Sequence, residues 1–240
     1  MSLAVLLKKL ASKNKDDRRV AAERLGKLGD ARAIEPLIHA SGRGGGERAK
    51  NAAITALARI GKPAIPLLVE TILHDRTSKL RRASAAASLG LIGDRTTIPH
   101  LLKATKDPSI DVRLHTVVAL ARFRDSAAIP YLIKALSDES GGVRIQAANA
   151  LGLVRSRKAV DPLIRALRDE KWYVRQCAAR SLGLIGDKRA VDALSSRLID
   201  PRPAVIAATK QALKSLSDTG HIDTTRTVKM RVRGRNPNPD

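Results

Sequence analysis

Apolar and polar residues follow a helical period along almost the whole chain, and the pattern itself recurs. In Lys171 to Leu198, KWYVRQCAARSLGLIGDKRAVDALSSRL, the residues Val174, Ala178, Ser181, Leu182 and Ile185 fall on one stripe. Gly186 stands where a helix C-cap glycine belongs, and Asp187 where the next helix is capped. The stretch therefore reads as two short helices that cannot bury their stripes alone. The same word returns around Leu25, Leu57, Leu89, Leu120, Leu151, Leu182 and Leu213, at spacings of 32, 32, 31, 31, 31 and 31 residues. A fixed period of this size in helix pairs predicts a solenoid.

Further columns agree with the leucines. Seven residues before them stand Arg18, Lys50, Arg82, Arg113, Arg144 and Arg175, with Ile206 breaking the column in the last copy. Five residues after them stand Asp30, Asp94, Asp125 and Asp187, with Lys62 and Ser156 as exceptions. Prolines fall near the start of the helices that follow, where a missing N–H costs nothing. The pattern predicts helices over 2–11, 16–28, 32–41, 47–60, 63–74, 78–92, 95–105, 109–123, 127–136, 141–154, 158–167, 171–185, 189–198 and 202–216. The expected architecture is all-α: a right-handed α-solenoid (superhelix) of about seven helix pairs over residues 1–216. A basic C-terminal extension over 217–240 follows it. Abundant alanine in the second helix of each pair lets neighbouring helices approach closely, and Phe123 replaces a small aliphatic residue in the fourth repeat.

The repeated word D-x-x-V-R-x-x-A-A-x-x-L-G-x-I-G-D-x-x-A-V-x-P-L-I resembles the short HEAT-like repeat of the phycobilisome-lyase type, over roughly residues 3–216. The resemblance implies a HEAT-like solenoid. It leaves the function open among scaffolds, bilin lyases or their partners, an iron-dependent hydroxylase and a group of DNA glycosylases.

Charge narrows the choice. The chain has 45 Lys+Arg against 23 Asp+Glu, a formal net charge of +22. Such an excess implies an acidic partner, and solubility alone needs far less. The excess is also directional. Turns within helix pairs hold eleven basic and eleven acidic residues, while turns between pairs hold twelve basic and four acidic. Lys27, Arg59, Arg122, Arg124 and Arg155 lie at helix C-termini, where cations complement the helix dipole. Arg32, Lys62, Arg95, Arg157, Lys158, Lys188 and Arg189 lie at N-termini, against it, and a bound polyanion would supply the missing reason. The expected partner surface is therefore Arg32, Lys62, Arg95, Arg122, Arg124, Arg155, Arg157, Lys158, Lys188 and Arg189. The arginine column from Arg18 to Arg175 shares a face with the buried leucines. It is read as a structural ladder, pairing with turn aspartates and carbonyls of neighbouring repeats.

The tail SDTGHIDTTRTVKMRVRGRNPNPD leaves the repeat pattern. Thr227 to Arg233 alternates like a strand with one basic face, and a helical solenoid offers it no partner strand. Arg226, Lys229, Arg231, Arg233 and Arg235 join the expected partner surface, ordered by that partner or not at all.

Enzymatic chemistry finds little support. A glycosylase needs aromatics to cradle a base, and the chain offers Trp172, Tyr173, Tyr131 and Phe123. The hydroxylase uses His-Glu pairs for iron, and none of His39, His74, His100, His115 and His221 is followed by glutamate. Ser41-Gly-Arg-Gly-Gly-Gly46 precedes a helix but lacks the strand and the Lys-Ser or Lys-Thr of a phosphate loop. Cys177 is a lone cysteine without a catalytic companion, read as buried and inert. No catalytic residue, metal or cofactor is expected. The start, MSLAVLLKKLAS, fits a first repeat helix rather than a signal peptide, and a cytoplasmic location is expected. The expected function is a non-catalytic scaffold binding RNA, DNA or a ribonucleoprotein through its basic edge and tail. The alternatives are an adaptor for an acidic protein using the concave face, and a subunit of the bilin-lyase type.

Overall fold

The computed structural model describes residues 1–43, 46–74 and 78–218, and every regular element among them is helical. These elements are α1 (Leu3–Leu10), α2 (Lys15–Leu28), α3 (Ile34–Ser41), α4 (Glu47–Ile60), α5 (Ile65–His74), α6 (Lys79–Ile92) and α7 (Ile98–Ala104). They continue with α8 (Ile110–Phe123), α9 (Ile129–Ala135), α10 (Gly141–Val154), α11 (Val160–Ala166), α12 (Trp172–Ile185), α13 (Val191–Ser195) and α14 (Pro203–Asp218). The fold is an α-solenoid of repeated helix pairs, a short helix followed by a long one. None of the described helices is by itself long and apolar enough to cross a membrane.

The chain divides into two compact units, one ending at Arg124 and one beginning at Asp125. The sequence does not mark this boundary, because the leucine spacing stays at 31 across it. In the first unit the long helices α2, α4, α6 and α8 pack successively on one another. Each short helix lies on its own long partner. In the second unit α10, α12 and α14 form the long layer, with α9, α11 and α13 against them.

The core is two leucine columns. Leu25, Leu57, Leu89, Leu120, Leu151 and Leu182 on the long helices are 0% exposed. So are Leu37, Leu68, Leu101, Leu132, Leu163 and Leu194 on the short ones. Burying each such side chain contributes about 1.5–3 kcal/mol, which is what a lone amphipathic helix lacks. Between long helices the contact is close enough to exclude a side chain. A Cβ built on Gly90 would lie 2.6 Å from the Cβ of Ala119, and one on Gly152 would lie 2.5 Å from Ser181 Oγ.

The short helices begin differently from the sequence expectation. A 3-10 turn precedes each one after α1, at Ala31–Ala33, Lys62–Ala64, Arg95–Thr97, Ser126–Ala128, Arg157–Ala159 and Lys188–Ala190. The α-helix proper therefore starts two to three residues later than predicted. The expected helix 189–198 is α13 followed by a 3-10 segment, Ser196–Ile199. Cap residues mark where a helical region begins, but they do not distinguish the tighter 3-10 hydrogen bonding from the α pattern.

Candidate functional site

The turns between helix pairs are built by one device. In four of them an aspartate precedes the 3-10 turn, and its Oδ1 accepts a backbone N–H two residues on. The pairs are Asp30 with Arg32 (2.9 Å), Asp94 with Thr96 (3.0 Å), Asp125 with Ala127 (2.8 Å) and Asp187 with Arg189 (3.0 Å). The carboxylate satisfies a donor that no helical carbonyl reaches. These bonds favour the ionised acid. The Arg32 side chain, then its backbone N–H, holds the Asp30 carboxyl down at about 2. The Arg189 guanidinium is the main cause of a lowered Asp187.

This geometry corrects part of the charge argument. Arg32 donates to both oxygens of Asp30, at 3.0 Å from Nε and 2.7 Å from Nη2. Arg189 does the same to Asp187, at 3.1 and 2.9 Å, and also reaches Asp161 at 3.2 Å. Their position at a helix N-terminus has an internal reason, the carboxylate that caps the same turn. The Asp-x-Arg spacing in both turns is the sequence signal that could have shown it.

The arginine column sits on the other edge, at the turns within pairs. Arg144 donates from Nη1 to the carbonyls of Asp138 and Glu139, at 2.9 and 3.1 Å. Its Nε and Nη2 fork onto Asp169 of the following repeat at 2.8 and 3.0 Å. Arg175 repeats the arrangement with the carbonyls of Asp169 and Glu170 and the carboxylate of Asp200. Arg82 forks onto Asp107 at 2.8 and 3.1 Å. Arg18 holds the carbonyls of Ser12 and Lys13, and Arg113 those of Asp107 and Pro108. Arg18, Arg113, Arg144 and Arg175 thus grip their own turns, and Arg82, Arg144 and Arg175 grip an aspartate 25 residues downstream. Lys50 lacks a fork and instead meets Glu47 of its own helix at 3.0 Å.

In the second unit a groove of about 670 Å³ runs between the C-terminal ends of α10 and α12. Arg155, Arg157, Lys188 and Arg189 line it together with Leu184 and Ser215, and Asp187 is the one acid in its wall. Arg155, Arg157, Lys158 and Lys188 are exposed and make no side-chain hydrogen bond or ion pair with described residues. In the first unit a smaller groove of about 380 Å³ carries Lys27, Arg48 and Arg59 beside Glu23. Lys62, Arg95, Arg122 and Arg124 are exposed on the same kind of turn. Arg226, Lys229, Arg231, Arg233 and Arg235 lie outside the described residues, as do Gly44 and Gly45 of the glycine-rich loop.

Sequence reasoning gave no role to three residues on or next to these turns, of which Leu184 lines the groove. Ser156 was visible only as an exception in the aspartate column. Leu153 and Leu184, 49% and 46% exposed on α10 and α12, looked like core leucines by type. Their column two residues past the buried leucine, occupied elsewhere by Lys27, Arg59 and Arg122, was the available signal. The other singled-out groups are unremarkable. Cys177 is buried, and burial raises its thiol above the ordinary range. Trp172 and Tyr173 meet edge to face with ring centres 5.6 Å apart at the start of α12. No cluster of potential metal ligands occurs among the described residues.

Comparison with known proteins follows the same lines. The HEAT repeats model matches residues 3–90, 73–142 and 129–214. No curated protein matches. Among solved structures, the E. coli protein YibA is 23% identical, covering 96% of this chain and 87% of that one, with a TM-score of 0.69. A chain from the Kap95p–RanGDP complex is 12% identical, covering 95% of this chain and 39% of that one, with a TM-score of 0.71. A chain of the CpcE–CpcF phycocyanin lyase complex from Nostoc sp. PCC7120 is 23% identical over 95% of this chain and 92% of that one, with a TM-score of 0.48. With the family's repeat matched from residue 3 to residue 214, the chain belongs to the HEAT-repeat family.

Proposed function

We propose that this chain is a non-catalytic cytoplasmic scaffold that holds nucleic acid, alone or within a ribonucleoprotein, along the turns between its helix pairs and on its basic tail. The observation that carries the reading is where the acids have gone. Asp107, Asp169 and Asp200 are taken by the ladder arginines, and Asp30 and Asp187 by Arg32 and Arg189. Of the cations left over, Arg155, Arg157 and Lys188 line one groove, where two successive turns face one space. Guanidinium and ammonium groups gathered around a single acid that Arg189 already holds repel one another until a polyanion neutralises them. A phosphate backbone offers regularly spaced charges and would be held without base readout.

A second reading has its own observation. Leu153 and Leu184 are exposed on adjacent long helices, beside Arg180. An acidic protein segment with apolar anchors would fit such a face, making the chain an adaptor.

The test is binding of a labelled single-stranded oligonucleotide, followed by fluorescence anisotropy at rising salt. Submicromolar binding at low salt that falls log-linearly with salt is expected of the first reading. Failure to bind any oligonucleotide, with tight binding to an acidic polypeptide, would replace it with the second.

A further inference from the structure

The turns between pairs provide an internal comparison. Four carry a capping aspartate, and two of those carboxylates also hold a guanidinium of the same turn, at 2.7 Å for Asp30–Arg32 and 2.9 Å for Asp187–Arg189. The turn after α10 has the cations without the acid. Ser156 occupies the aspartate position, and its side chain makes no cap bond. Arg155 and Arg157 flank it and Lys158 follows, all exposed. Two acids border it, Asp161 at the start of α11 and Asp187 of the next turn. Asp187 is gripped by Arg189, and Asp161 by the same Arg189 at 3.2 Å. Arg189 also donates to the Arg157 carbonyl at 3.1 Å, which ties the two turns together along the groove wall.

Resting on the nucleic-acid reading above, we propose that the groove beside Ser156 is the main phosphate seat of the second unit. There a backbone phosphate of the bound strand takes the place that an aspartate carboxylate fills in the neighbouring turns. Arg155, Arg157 and Lys188 supply the charge from the groove wall, and Ser156, between the two arginines in the chain, brings no counter-charge. A phosphodiester suits this set better than a carboxylate does. Its one negative charge is spread over two oxygens that diverge from a tetrahedral centre and can meet cations from both sides of the groove, whereas the two oxygens of a carboxylate lie in one plane. The serine is the discriminating residue, because an acid there would neutralise the turn from within.

Ser156→Asp tests this directly. The neighbouring turns accommodate aspartate at the same position, so the variant is expected to fold and to melt at or above the wild-type temperature. Its affinity for the oligonucleotide is expected to fall about tenfold at constant low salt, since one carboxylate would occupy the seat and repel the strand. Ser137→Asp, an equal charge change on an exposed turn within a pair of the same unit, is the control and is expected to cost about twofold or less. Equal losses for the two variants, or no loss for Ser156→Asp, would overturn the seat while leaving the scaffold reading intact. An absence of oligonucleotide binding by the wild type would instead overturn the reading on which the seat rests. If poly-glutamate binding falls as much as oligonucleotide binding, the groove is a general anion site, and the phosphate assignment is wrong.

Discussion

Arg124 and Arg155 occupy the left-handed backbone region, at φ 49° and 53°, in a column where Gly29, Gly61, Gly93 and Gly186 stand. Glycine visits this region without strain, while a residue with a Cβ does not. Two arginines on the basic edge thus sit where a neutral residue would be the cheaper choice. Arg155→Gly is expected to raise stability by up to about 1 kcal/mol in denaturant melts while weakening oligonucleotide binding. Arg155→Ala keeps the strain and loses only the charge, so it should weaken binding without the gain in stability. At the core, Leu120→Ala should cost about 2–5 kcal/mol, because its side chain is wholly buried in a close-packed layer. Leu91→Ala, 41% exposed in a neighbouring helix, should cost about 0.5 kcal/mol or less, and a reversal of that order would mean the repeat register is wrong. The register was legible because leucine, arginine and aspartate columns agreed independently. The left-handed conformation of Arg124 and Arg155 was not read from the sequence, although both interrupt a glycine column. The pairing of Arg32 and Arg189 was obscured, because a charge reading by position along a helix ignores a carboxylate folded back across the same turn.

The helix pair is stabilised at each end by a different device. Four of the turns between pairs are closed by a capping aspartate, while at turns within pairs Arg82, Arg144 and Arg175 join one repeat to the next. The column and its pairing with turn aspartates were legible in the sequence, while the choice of aspartates 25 residues downstream was not. Asp200 shows how strongly such a pair is set. Burial alone would raise its carboxyl, yet hydrogen bonds from Arg175 and from the Arg202 N–H prevail, and the net shift is downward. The folded state therefore binds this proton less readily than the unfolded chain. The resulting stability is complete above the unfolded carboxyl value, near 3.9, and is lost as pH falls through the lower folded value. Asp200→Asn should cost about 1–3 kcal/mol at neutral pH, because Arg175 keeps its place without a full charge to meet. The gap between variant and wild type should narrow as pH falls below about 4. Chemical denaturation across pH would show it, and a gap constant down to about pH 2 would mean that ionisation of Asp200 contributes nothing.

Across the whole molecule, a charge of +22 becomes informative only once its distribution is known. On the edge of turns within pairs, the arginines of the column are taken up by aspartates and carbonyls of that edge. The opposite edge keeps exposed cations, most densely at Arg155, Arg157 and Lys158. This asymmetry predicts a difference in salt dependence and not only in affinity. Each phosphate contact contributes about 0.7–0.9 to the slope of log affinity against log salt. Changing Arg155, Arg157 and Lys158 together to glutamate should weaken binding and flatten that slope by roughly two units. The matched control changes Lys106, Arg168 and Arg202, which are exposed on the edge of turns within pairs and lack side-chain ion pairs with described residues. It alters net charge equally, so it measures the long-range part of the attraction, which salt screens within about 8–10 Å. A lower affinity with an unchanged slope is expected for the control, because no phosphate contact is lost. Equal flattening in both variants would mean that the strand binds diffusely over the surface, and that the edge between pairs has no special role.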